Sequence, residues 1–164
     1  MTALSLAGVA IAVIVLIANL RPWWKSGHNP KDLAPFGWGA LLGVLATLCV
    51  GGLLGWSAAK TADMASGLGN TVVSKTVGTS AQPVAHGSAG HLTPAGGVVV
   101  VIILATVIFV LRSSGKADKR RITGGAFCGA VLGYLPGIAA GLVFVPEAVN
   151  SIGAWGASAV GSVL

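Results

Sequence analysis

Four long apolar runs constrain this 164-residue chain more than any other feature of its sequence. They cover residues 3–20, 35–58, 94–111 and 122–145, and none contains Asp, Glu, Lys, Arg or His. A helix needs about 20 apolar residues to cross the hydrocarbon core of a bilayer. Only 9% of the chain is charged, against about 25% in soluble domains. The sequence therefore predicts an all-α, polytopic membrane protein with a single domain over 1–164, whose four transmembrane helices form two tandem hairpins.

Most of the basic residues lie in two short loops between these runs, 21–34 and 112–121. The two loops contain Arg21, Lys25, Lys31, Arg112, Lys116, Lys119, Arg120 and Arg121. The positive-inside rule places both loops in the cytoplasm, which leaves both termini outside the plasma membrane. Topology is thus the first explanation of the net charge of +6.

The first run should remain in the mature protein as a span. No Lys or Arg precedes it, whereas Arg21 and Lys25 follow it. A cleavable secretory signal has the opposite order of charges.

Tryptophan residues are placed as interfacial anchors. Trp23 and Trp24 follow the first run, and Trp38 and Trp56 bracket the second. At a rise of about 1.5 Å per residue, Trp38 and Trp56 would be about 27 Å apart. This separation is close to the hydrocarbon thickness, as aromatic belts at both interfaces require.

Two outer segments complete the chain. The first, 59–93, is expected to form a short amphipathic surface helix and then a disordered stretch near 83–90. The second, 146–164, opens with Pro146 and Glu147, which are typical of a helix start. Both segments should lie on the outer surface or fold back against the spans.

The chain has the layout of an internal repeat, with halves at 1–75 and 94–164. Residues 39–45 match residues 129–135 at an offset of 90. Each half runs from a plain span through a basic loop to a glycine-rich span and an amphipathic outer segment. Coincidence among Gly, Ala, Val and Leu is the alternative explanation of the residue match. Because both halves start outside, the repeat would be parallel, with its axis along the membrane normal.

Small residues recur at every fourth position in the second and fourth runs. We call these two series the glycine ladders: Gly39, Gly43, Thr47, Gly51 and Gly55, and Gly125, Gly129, Gly133, Gly137 and Gly141. Residues four apart share one face of a helix, and small faces let helix backbones approach closely in a bilayer. The ladders could pack within one chain, or at least one could face a second copy in a closed ring. Pro136, inside the fourth run, predicts a kink.

Catalysis is not expected. Proton-coupled carriers and pumps need ionisable groups within the membrane, and the four runs contain none. His28, His86 and His91 all lie in loops. His86 and His91 are five positions apart without a neighbouring carboxylate, which is poor spacing for a metal site. We therefore predict no enzyme activity, no cofactor and no metal.

The compact cluster of Lys116, Lys119, Arg120 and Arg121 suggests a surface for binding. Anionic lipid headgroups are its default partner. An acidic cytoplasmic protein or DNA phosphate is less favoured, because no stacking aromatic residues accompany the cluster.

Three hypotheses follow for the function. The chain could be a self-associating scaffold or pore component, a small channel or transporter with substrate between its repeats, or an accessory protein that recruits a cytoplasmic machine. The alanine-, glycine- and valine-rich spans, residues 21–25 (Arg-Pro-Trp-Trp-Lys) and the basic residues 116–121 resemble the small membrane spread proteins of actinomycete conjugative plasmids. This resemblance implies an oligomeric membrane partner of a DNA-translocating ATPase during plasmid spread. A phage-type membrane protein without such a partner would have the same layout.

Overall fold

The computed structural model describes residues 4–25, 27, 30–49 and 51–161. Within these ranges the chain is all-helical apart from one pair of two-residue strands. The elements are β1 (Leu4–Ser5), α1 (Leu6–Lys25), α2 (Pro30–Leu48), α3 (Gly52–Val77), β2 (Pro83–Val84), α4 (Pro94–Ser113), α5 (Lys116–Leu132), α6 (Pro136–Gly141) and α7 (Phe144–Gly161).

Two helices of the described chain, α1 and α4, are long and apolar enough to cross a membrane. A third span is counted if α2 and α3, which meet at a bend of 106°, are taken together. The helical class and the presence of membrane-spanning helices therefore agree with the sequence. The start of α4 shows why it forms: the Thr93 side chain accepts a hydrogen bond from the Gly96 N–H at 3.1 Å, and Pro94 occupies the first turn.

The run 35–58 is not one helix. Helix α2 ends at Leu48 and α3 begins at Gly52, with φ of 85° at Gly51 and 70° at Gly52. Positive φ is incompatible with a right-handed helix and is readily adopted by glycine. The break redirects the chain, so that α3 forms a 26-residue helix in place of the short surface helix expected in 59–93.

The run 122–145 is also interrupted. Helix α5 ends at Leu132, and Leu135 is extended before Pro136 opens α6. The residue before a proline is pushed out of the helical region, so the expected kink is a full break. The basic loops are correspondingly short: residues 21–25 belong to α1, 30–34 to α2, and only two residues separate α4 from α5.

The stretch near 83–90 is ordered, contrary to the expectation of disorder. β2 pairs antiparallel with β1, joining Leu4 to Val84 and Ser5 to Pro83. The Gly87 N–H donates to the Tyr134 carbonyl oxygen at 2.8 Å. The stretch is thus held by backbone hydrogen bonds, which a reading based on side-chain composition does not reveal.

The core consists of three apolar clusters around α2 and α5. One cluster contains Ala12 of α1, Ala65 of α3 and Val131 of α5. Another contains Leu45 of α2 and Val100 of α4, together with residues of α6 and α7. The third joins α2, α3 and α5 through alanines. Helix α3 therefore packs on both central helices, whereas of these two α1 packs mainly on α5 and α4 mainly on α2.

Candidate functional site: a glycine-faced helix pair and its basic end

Helices α2 and α5 meet through the backbone at their glycines. A Cβ added at Gly39 would collide with the Ile122 carbonyl oxygen, and one at Gly125 would collide with the Phe36 carbonyl oxygen. Only glycine permits such an approach, which allows dispersion and Cα–H···O contacts between the helices. The two collisions are reciprocal, because Gly39 and Gly125 each face the residue three positions before the other.

The next positions repeat the arrangement. Gly43 faces the Ala126 carbonyl oxygen, and Gly129 faces the Ala40 carbonyl oxygen. One turn further on, a Cβ at Gly133 would lie 3.1 Å from Thr47 Oγ1. The contacting residues therefore have rising numbers along both helices, so α2 and α5 run in the same direction. Residues 86 positions apart occupy equivalent places in the two helices.

The remaining ladder positions do not belong to this interface. A Cβ at Gly51, Gly137 or Gly141 would meet nothing within 4 Å, and Gly55 packs on the Cys49 carbonyl oxygen at the break between α2 and α3. The interface positions of both ladders are buried inside the chain. At these positions the ladders pack within one chain, and a second copy could reach them only by displacing α2 or α5.

Two further close seams were missed from the sequence. Gly8 of α1 packs on Ser66 of α3, where its Cβ would lie 2.9 Å from the Ser66 nitrogen. Gly96 of α4 packs in the same way on the Asn150 side chain of α7. Each of these seams uses one glycine near the start of α1 or α4. A repeat of glycine at every fourth position therefore does not indicate them.

The seams share a hydrogen-bonding pattern. The Ser5 N–H donates to Ser66 Oγ at 3.1 Å, and Ser5 Oγ accepts from the Gly8 N–H at 3.2 Å. The Thr93 N–H likewise donates to Asn150 Oδ1 at 2.9 Å. A hydroxyl residue three positions before a glycine, at the start of an apolar run, was the signal available in the sequence.

The basic residues gather at the end of the molecule where α2 and α5 begin. We call this the basic end; its exposed cations are Arg21, Lys25, Lys31, Arg112, Lys116, Lys119 and Arg120. Arg121 differs, since its Nη1 donates to the Asp32 carbonyl oxygen at 2.9 Å and lies 3.8 Å from Asp32 Oδ1 and 4.0 Å from Asp118 Oδ1. Arg121 therefore joins the first turns of α2 and α5.

The rest of the chain has no net charge. Lys60, Lys75, Asp63 and Glu147 cancel, so that the net charge of +6 belongs entirely to the basic end. Trp24, Trp38 and Trp56 are exposed, at 65%, 46% and 60% of their surface, whereas Trp23 is half-buried.

The chemistry of the interior is apolar. Among the residues that the structure describes, the buried side chains with polar groups are Ser5 and Ser66, and no group of three metal-binding side chains is found. His86 lies with its ring centroid 5.0 Å from that of Tyr134, while His28 lies outside the described residues. No protein-family model, curated protein or solved structure matches this chain.

Proposed function

We propose that this chain is a non-enzymatic, self-associating membrane scaffold of four spans, with its basic end in the cytoplasm. The observation that carries the proposal is the charge distribution: one end holds the whole net charge of +6, and the remaining charges cancel. Cytoplasmic loops of membrane proteins carry just such an excess of Lys and Arg.

Helix α2 is long enough to serve as the second span, since its 19 residues extend about 28 Å at about 1.5 Å per residue. The first six residues of α5 belong to the basic end, so its apolar part, 122–132, extends only about 16 Å. The fourth span would therefore need α6 as the continuation of α5 to approach the hydrocarbon thickness of about 30 Å. With α1 and α4, these spans give two hairpins whose turns share the basic end.

A scaffold fits the interior better than a carrier does. The core clusters are apolar, and backbone contact between α2 and α5 leaves no space between these helices for a polar solute. Transported ions and protons require polar or ionisable groups along their path. A pore would therefore have to form between copies of the chain.

Self-association would use surfaces other than the ladders. One face of α7 exposes Phe144, Ile152 and Trp155, at 64%, 56% and 74% of their surface. Together with Ala148 they form one stripe along the helix, since Phe144, Ala148 and Ile152 are four positions apart and Trp155 follows three positions later. We assign the contact between copies to this stripe.

Anionic lipid headgroups are the first partner expected for the basic end, and a cytoplasmic protein with an acidic surface is the second. The resemblance to plasmid spread proteins suggests a DNA-translocating ATPase, with this chain as its membrane support. Seven exposed cations supply the attraction, and steering by such a surface weakens as ionic strength rises.

The mass of the protein in mild detergent tests the proposal. We expect an oligomer for the wild type and a smaller species for the Ile152→Ala/Trp155→Ala variant, with Leu53→Ala on α3 as an exposed apolar control. A monomeric wild type would refute self-association. Ion conductance by the wild type in planar bilayers would replace the scaffold with a pore.

Topology is tested separately by labelling introduced cysteines in intact cells with an impermeant maleimide. Thr79→Cys, after α3, should react from outside, and Lys116→Cys should react only after permeabilisation. Equal labelling of both in intact cells would refute the proposed arrangement of spans.

A further inference from the structure

An apolar groove lies between α2, α3 and α5. It has a volume of about 410 Å³ and is lined mainly by apolar side chains, among them Leu42, Ala58, Met64, Ala126 and Phe127. Alanine lines all three walls of the groove, and the bend after α2 turns α3 away from a parallel course. Lining atoms without neighbours lose dispersion contacts, so an open apolar groove of this size favours an apolar occupant in a bilayer.

Two further cavities adjoin the groove towards the basic end. A cavity of about 560 Å³ between α1 and α5 shares Thr123 and Phe127 with the groove. A third, of about 220 Å³, shares Asn19 and Arg120 with the second. The shared side chains place the three cavities next to one another along α5, and we call this series of cavities the α5 path.

Polarity changes along this path from apolar to cationic. The far end is lined by Asn19, Arg120 and Arg121. Arg121 is already engaged by Asp32, whereas no carboxylate of the described chain lies within 4 Å of the exposed Arg120. The charge of Arg120 is therefore available to an anion at the mouth of the path.

We propose that the α5 path binds one anionic phospholipid of the inner leaflet. An acyl chain occupies the groove between α2, α3 and α5, and the phosphate pairs with Arg120 beside the Asn19 amide. The individual volumes of the first two cavities lie within the range of about 300–1,000 Å³ typical of small-molecule sites. Basic pockets between helices on the cytoplasmic side are suited to anionic headgroups.

The ligand must be amphiphilic to satisfy both ends of the path. A free phosphate could pair with Arg120 but would leave the groove empty, and a neutral lipid could fill the groove but would leave Arg120 unpaired. The proposal rests on the proposed membrane orientation, because it requires the mouth of the path to face the cytoplasmic leaflet.

Native mass spectrometry of the full chain, released from mild detergent, tests this site. We expect one tightly bound dioleoyl phosphatidylglycerol per chain, and weaker binding of dioleoyl phosphatidylcholine with the same acyl chains. Competition by millimolar inorganic phosphate should be slight. Displacement of the lipid by phosphate alone, or equal binding of the two lipids, would overturn the proposal.

A matched pair of charge variants locates the headgroup. Arg120→Gln should weaken phosphatidylglycerol binding about fivefold, the contribution of one cation near an anionic surface. Lys119→Gln, an exposed neighbour that does not line the path, should have a smaller effect. Equal losses in the two variants would show general surface attraction and refute a defined site.

A second pair locates the acyl chain. Thr61→Phe fills the groove, whereas Thr71→Phe places the same side chain on an exposed part of α3 outside it. Only the first should reduce lipid binding, with both variants retaining the wild-type helical content. Unchanged binding by a folded Thr61→Phe variant would remove the groove from the site. A monomer that binds the lipid would refute the proposed scaffold and leave this inference intact. An oligomer without the lipid preference would refute this inference and leave the scaffold intact.

Discussion

Alanine at Gly39 should destabilise the protein relative to alanine at Gly37. Both glycines lie in α2, two positions apart and on different faces. A Cβ at Gly39 would collide with the Ile122 carbonyl oxygen, while a Cβ at Gly37 would meet nothing within 4 Å. The two substitutions are chemically identical, so their difference isolates the contact with α5.

The magnitude follows from two opposing terms. Replacing glycine by alanine inside a helix gains about 1 kcal/mol of helix propensity, and this gain is common to both variants. Overpacking costs about 1–3 kcal/mol and applies only at Gly39. The obstructing atoms belong to the α5 backbone and cannot rotate away, so the helices must separate. We expect the free energies of unfolding to differ by about 1–3 kcal/mol, with Gly37→Ala at or above the wild type.

Titration with SDS in mixed micelles, followed by far-UV circular dichroism, measures these free energies. Equal unfolding midpoints for Gly39→Ala and Gly37→Ala would refute backbone contact between α2 and α5. A double variant, Gly39→Ala/Gly125→Ala, sharpens the test, because both changes separate the same two helices. Its cost should be less than the sum of the single costs.

Two further predictions concern polar contacts in the same titration. Ser66→Ala removes the buried hydroxyl that accepts a hydrogen bond from the Ser5 N–H, so we expect a loss of about 1–3 kcal/mol in the free energy of unfolding. Arg121→Gln breaks the partly exposed ion pair with Asp32, for which we expect a loss of at most about 1 kcal/mol that shrinks in high salt; a loss as large as that of Ser66→Ala would contradict this. Arg120→Gln should leave the free energy of unfolding unchanged.

Hydropathy was sufficient to predict the helical class and the helices α1 and α4, because their apolar runs are uninterrupted. It did not predict the ends of α2 and α5. Gly43 and Gly51 stand in the same ladder, yet Gly43 packs against α5 and Gly51 takes a positive φ that ends the helix. Spacing by four identifies a shared face only while the helix continues. Glycine is compatible both with a continuing helix and with the positive φ that ends one.

The basic end was predicted from charge alone, whereas the particular role of Arg121 was not. Its partner Asp32 lies 89 positions earlier in the chain, and only the parallel packing of α2 on α5 brings them together. The α1–α3 seam was missed for a related reason. It depends on Ser66 in a segment whose composition indicated a surface helix, and the burial of that serine follows from the redirection of the chain at Gly51.

The reciprocal contacts relate α2 to α5 by a register that differs from the sequence match. Equivalent positions in α2 and α5 are 86 apart, as Gly39 and Gly125 show, whereas the match in sequence has an offset of 90. A shift of four residues still places glycine opposite glycine, so the ladder cannot define its own register. The outer seams follow neither register: Gly8 and Gly96 are 88 positions apart, whereas their partners Ser66 and Asn150 are 84 apart.

The contact between α2 and α5 is symmetric, because each helix presents equivalent positions to the other. In membrane proteins such glycine interfaces also join separate chains, where the contact depends on concentration. Here both helices belong to one polypeptide, so the pairing of α2 with α5 is independent of protein concentration. This pairing also buries the glycine faces that could otherwise contact a second copy. We therefore expect the oligomeric state of this protein to change with substitutions on the outer helices, such as those in the exposed stripe of α7. Dilution should leave the contact between α2 and α5 intact.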